Sequence, residues 1–119
     1  MSAVKMPISR LNIGHRGELV DSDELYYISN NYVLSNHAKE MIQKRNKDVD
    51  VVESIRNPIL AYYNTDGTIN CAINDYEYFV IATDRFPFRI ITFKEKSWYS
   101  INIFEKRKMA QDGFDRKYK

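Results

Sequence analysis

Residues 59–94 read ILAYYNTDGTINCAINDYEYFVIATDRFPFRIITFK, and the turns inside that stretch decide the fold. Asp66-Gly67 is a strong type I′ hairpin signal between runs rich in aromatic and β-branched residues, which predicts strands over 59–64 and 68–73. Asn74-Asp75 marks a second turn, with a third strand over 76–82. TDRFP at 83–87 turns the chain again, and 88–94 supplies a fourth strand. With regular alternation, Arg89, Ile91 and Phe93 fall on one face of that last strand, and Phe88, Ile90, Thr92 and Lys94 on the other. Four strands joined by short turns predict an antiparallel meander.

Towards the N-terminus the period changes from two to 3.6. Ser35 or Asn36 is placed to cap a helix, because a short side-chain oxygen there accepts an otherwise unpaired backbone N–H. Ala38, Met41, Ile42 and Arg45 then follow at i, i+3, i+4 and i+7. Asp50-Val51-Val52-Glu53 fits a capping box, Val51, Val52 and Ile55 give the buried stripe, and Pro58 stops this second helix at Asn57. Both helices are short, so packing on the sheet must stabilise them. The fold class expected is α+β: two short helices packed on a four-stranded antiparallel meander sheet.

The domain division follows from what flanks these elements. Residues 1–34 read as a loosely ordered N-terminal extension, with Pro7, Gly14, Gly17 and an acidic DSDE run at 21–24. Within it, LYYISNNYVL at 25–34 is partly aromatic and β-branched, with Asn30-Asn31 as a turn. Residues 35–105 form the α+β domain, and 106–119 form a basic tail expected to fray. Residues 98–104 satisfy a strand period and a helix period alike.

Composition narrows the function classes. The 119-residue chain is 44% apolar and 29% charged, which fits one ordinary globular domain and not a disordered protein. Its one cysteine, Cys71, reads as a small buried hydrophobe and excludes a disulfide framework or a cysteine-based zinc cage. Apolar runs are too short to span a bilayer and no secretory leader is evident, so the expectation is a cytoplasmic protein with no membrane partner. No P-loop, dinucleotide-binding glycine pattern, HExxH helix or nucleophile elbow is present, so neither a cofactor nor a metal is expected.

The net charge of +2 hides a strong segregation: residues 1–47, 48–84 and 85–119 carry +2, −6 and +6. Either a basic face meets a phosphate-bearing partner, or the acidic middle and basic end pair with each other.

His37 lies in the first turn of the first helix, where the positive end of the helix dipole favours the neutral imidazole a general base requires. Met41, Lys44 and Arg45 follow one and two turns later on roughly the same side. The last strand places Arg85, Arg89, Thr92, Lys94 and Lys96 within twelve residues, a set able to hold a phosphodiester or simply to discourage edge pairing. His15, flanked by glycines, is a poorer candidate. Tyr62, Tyr63, Tyr76, Tyr78 and Trp98 can either fill a core or stack on unpaired bases.

Taken together, HAKEMIQKR (37–45), VVESIRNP (51–58), the Tyr-rich hairpin and the terminal IITF (90–93) resemble the barnase–EndoU–colicin–RelE group of RNase toxins, in particular its phage-associated BrnT-related branch. The resemblance covers about residues 35–96. It implies metal-independent RNA cleavage, with His37, Arg45, Thr92 and Lys94 as catalytic residues and Lys44, Arg89 and Lys96 as RNA contacts. His37 would take the proton from a 2′-hydroxyl, and Arg45 and Lys94 would stabilise the charged transition state. The implied partners are tRNA or mRNA and a cognate antitoxin or immunity protein. The competing expectation is a non-enzymatic phage or mobile-element interaction protein, an inhibitor or anti-defence protein, whose acidic 48–84 segment mimics nucleic-acid phosphates.

Overall fold

The computed structural model describes residues 18–96. The fold is α+β. Its elements, in order, are α1 (Ser22–Ser29), β1 (Tyr32–Leu34), α2 (Asn36–Arg45), α3 (Val51–Arg56), β2 (Leu60–Tyr63), β3 (Ile69–Ala72), β4 (Glu77–Ala82) and β5 (Phe88–Glu95).

The expected meander is present as β2–β5, all paired antiparallel. The expectation of a four-stranded, purely antiparallel sheet is corrected by β1. This strand adds to the outer edge of β5 in parallel, so the five-stranded sheet has the order β1-β5-β4-β3-β2. At the opposite edge, Leu19 bridges Tyr62, and Val20 N–H donates to the Ala61 carbonyl at 3.0 Å.

The expectation of two helices, and of a loose extension up to residue 34, is corrected by α1. Asp21 takes the N-cap position, and Asp23 and Glu24 place negative charge in the first turn, where the helix dipole favours it. Leu25, Ile28 and Ser29 recur at helical spacing and are buried, and α1 packs against α3. The aromatic residues that read as strand, Tyr26 and Tyr27, take the helix's outer and flanking positions instead. The core therefore begins well before residue 35.

The cap signals for the other two helices correspond to real bonds. Ser35 Oγ accepts from Ala38 N–H at 2.9 Å and donates to the Ile91 carbonyl at 2.8 Å, which clamps the start of α2 to β5. Asp50 Oδ1 accepts from Glu53 N–H at 3.1 Å. The reciprocal half of that capping box is not made by Glu53, which accepts from Asn57 Nδ2 at 2.7 Å.

The hairpin at Asp66-Gly67 differs from the expected two-residue type I′ turn. Gly67 N–H donates to Asn64 O at 3.0 Å, so Thr65 and Asp66 are the central pair. Gly67 follows at φ 88°, giving the three-residue loop that needs a left-handed residue in third place.

All three helices lie on one face of the sheet, called here the first face. Ala38, Ile42, Leu25, Ile28 and Ile55 meet Phe79, Ile81, Ile90 and Phe93 there. The Phe79 and Phe93 rings lie 4.7 Å apart. On the second face, Leu60, Tyr62, Ala72 and Tyr78 form a smaller buried cluster with Leu19 and Val80 beside it.

The alternation expected along the last strand is also corrected. Val80 pairs with Thr92 and Ile81 with Ile90, so Ile91 is an extra residue, a β-bulge. The bulge flips the phase: Phe88, Ile90 and Phe93 share the first face, and Arg89, Thr92 and Lys94 the second. Trp98, residues 98–104, the 106–119 tail and His15 lie outside the described residues.

Candidate functional site

The seven residues singled out on β5 and α2 do not converge on one cleft. His37 is exposed in the first turn of α2, which packs on the first face. Arg45 ends that helix and turns to Glu95 of β5, Nη1 to Oε1 at 3.3 Å. Lys44 pairs with Glu40 one turn back at 3.8 Å, both well exposed. Thr92 and Lys94 project from the second face, across from Val80 and Tyr78. Thr92 is only 8% exposed. Lys96 donates its ammonium to the Asn74 carbonyl at 3.0 Å. The sheet thus stands between the imidazole's helix and the hydroxyl and ammonium meant to work with it.

The aromatic candidates divide in the same way. Tyr62, Tyr63 and Tyr78 are buried, and Tyr63 hydroxyl donates to Glu24 Oε2 at 2.9 Å, tying β2 to α1. Tyr76, at 72% exposure, remains an open ring. Cys71 is fully buried in β3, and burial pushes its thiol up to about 12.

Arg89 is the candidate whose surroundings form a site. It sits opposite Ala82 on the second face, and its Nη2 donates to Asp84 Oδ1 at 2.6 Å. A cleft of about 240 Å³ opens beside it, lined by Asp66, Gly67, Thr68, Ala82, Thr83, Asp84, Arg89 and Ile91. Two turns build the cleft. In a meander, alternate turns share one end of the sheet, so the β2–β3 and β4–β5 loops meet there while the β3–β4 loop lies at the other end. Thr83 Oγ1 donates to the Gly67 carbonyl at 3.3 Å and joins them.

The acidic wall is pre-oriented. Thr68 donates both its hydroxyl and its backbone N–H to Asp66 Oδ1, at 2.7 and 3.0 Å. Those bonds hold the Asp66 carboxyl below the usual carboxylate range. Arg89 Nη1 is buried and has no hydrogen-bond partner.

Arg56 is engaged differently. Arg56 donates Nε to Ser29 and Nη2 to Asn30 and lies 4.2 Å from the Tyr26 ring centroid, pinning α3 to α1.

Asp66, Thr83 and Asp84 escaped the sequence reading as site residues because each looked like turn punctuation, and Thr68 because it read as the start of a strand. The pattern that places them together is the repeated Thr-Asp at 65–66 and 83–84, one pair in each turn at the same sheet end.

Among the described residues, no group of three or more His, Cys, Asp or Glu side chains is placed to hold a metal ion, and no helix is long and apolar enough to cross a membrane. Comparison of the chain with protein-family models, with curated proteins and with solved structures yields no match.

Proposed function

We propose that this chain acts by binding a cationic protein partner through an acid-rich surface, without cleaving RNA. The observation that carries this reading is the state of the acidic segment. Asp48, Asp50, Glu53, Asp66, Asp75 and Asp84 are all exposed. Among the described residues, only Asp84 of these six meets a cation, Arg89. Of these six carboxylates, the described part of the basic end reaches Asp84 alone. Unpaired surface carboxylates attract a partner of opposite charge over a screening length of about 8 Å at physiological salt. The same chemistry lets an acidic protein occupy a nuclease surface built to grip phosphates.

The division of the expected catalytic set weighs against the RNase reading. A general base and its charge-stabilising partners must address the same scissile bond, and His37 starts from the first face while Thr92 and Lys94 leave from the second.

The full chain incubated with a mixed tRNA and mRNA pool in EDTA tests the choice. Intact RNA, with no new 2′,3′-cyclic phosphate ends, is expected. Cyclic-phosphate ends that disappear in His37→Ala would overturn the binding reading and restore the ribonuclease.

A further inference from the structure

We propose that the outer edge of β1 is a self-pairing site, where two copies of this chain join antiparallel through Tyr32–Leu34 about a two-fold axis at Val33 and continue one sheet into the other. The proposal is independent of the acid-surface reading.

The backbone supplies the first argument. Strand β1 ends the sheet order and has β5 as its neighbour on one side only. Tyr32 lies opposite Phe88 and Leu34 opposite Ile90. Phe88 N–H donates to the Asn31 carbonyl at 3.0 Å, and Ser35 N–H to the Ile90 carbonyl at 3.1 Å. In a parallel pair, that pattern turns the N–H and carbonyl of Val33 towards β5 and those of Tyr32 and Leu34 away from it. Among the described residues, no hydrogen bond is made to these four outward groups. An antiparallel copy of the same three residues satisfies all four. Tyr32 of each chain faces Leu34 of the other, and each such pair exchanges two hydrogen bonds. Val33 faces its own copy in the non-hydrogen-bonded position between them, so the edge is complementary to itself.

The side chains agree with that register. Val33 is 46% exposed and lies on the second face with Arg89, its neighbour across the pairing. Side chains stand closest in a non-hydrogen-bonded pair, so the two valines cover each other. Phe86 extends the apolar surface at one end of the edge. It is 55% exposed, and its ring packs on Tyr27 and on Phe88, the residue opposite Tyr32.

Charge selects a second copy as the occupant. Natural edge strands are kept apart by lysines, prolines or inward-pointing charges. Residues 25–38 contain no Asp, Glu, Lys, Arg or Pro, although 29% of the chain is charged. The cation level with Val33, Arg89, is already paired with Asp84. Residues 18–96 hold more carboxylates than Lys and Arg, so two copies repel across much of their surface and least along this edge. A cationic partner gains nothing from an uncharged strand. The ladder is short, so the dimer is a reversible one that buries less than about 1,200 Å².

The test is sedimentation velocity of the full chain between about 50 µM and 1 mM, with ¹⁵N amide exchange at both ends of that range. The mass should rise from monomer towards dimer. Tyr32 and Leu34 N–H should exchange about threefold more slowly at the high end, while Val33, bonded to β5 in both states, should not change. Val33→Lys places like charges at the axis and should weaken the dimer at least about tenfold. The position is exposed enough to accept lysine, and if the variant does not fold, the alternation of wild-type exchange rates still decides. A chain that stays monomeric at the highest concentration would overturn the proposal, as would a dimer that Val33→Lys leaves unchanged. Slow exchange of Tyr32 and Leu34 already in the monomer would place another segment of the same chain on the edge and overturn it as well.

Discussion

Cys71 is the only thiol in the chain, and its burial in β3 holds it protonated far above neutral pH. Thiol reagents act on thiolate, so native protein should fail to react with a disulfide probe over hours while denatured protein reacts at once. Fast labelling of the native chain would show that β3 opens. Asp66 titrates the other way. Its carboxyl is lowered by the Thr68 bonds, so the ionised form favours the folded turn. That contribution is fully present above the ordinary carboxylate value near 4 and is lost as pH falls through the lowered one. Thr68→Val should therefore raise the Asp66 carboxyl towards its ordinary value in an NMR titration, and an unchanged midpoint would contradict the bonding described.

Between the elements, the most informative contact is the one that brings α1 into the core. Ile28 is fully buried against the first face, so Ile28→Ala should destabilise the protein by about 2–5 kcal/mol in denaturant unfolding. A loose extension would lose almost nothing. Gly67→Ala tests the hairpin: forcing a Cβ into φ 88° should cost about 1–2 kcal/mol.

The meander and both capped helices were legible in the sequence because caps, turns and the period-2 runs act locally, and the Ser35 and Asp50 caps are made as implied. Three features were not legible, each for a tertiary reason. Helix α1 has aromatic residues of strand propensity, overridden by the burial of Leu25 and Ile28. β1 is three residues long, and its place is set by the edge of β5. The bulge at Ile91 adds a residue to a run that looks regular, and by shifting the phase it rearranges which cations share a face. Thr92 and Lys94 share a face as alternation predicts, while the bulge brings Arg89 round to that face as well.

Across the whole molecule, net charge is a poor guide. Residues 18–96 hold thirteen carboxylates against nine Lys and Arg, a net of −4, while the flanking residues supply the +6 that makes the chain formally basic. The described residues are thus acidic within a formally basic chain.

The most direct test of the central claim is the affinity of the full chain for fluorescein-labelled deca-arginine, read by anisotropy across a salt series. The account predicts binding at low salt that weakens at least tenfold between about 20 and 200 mM, as screening lengths shorten. It also predicts several-fold weaker binding by the Asp48→Asn, Glu53→Gln, Asp75→Asn triple variant. No binding at low salt, or equal binding by that variant, would contradict it.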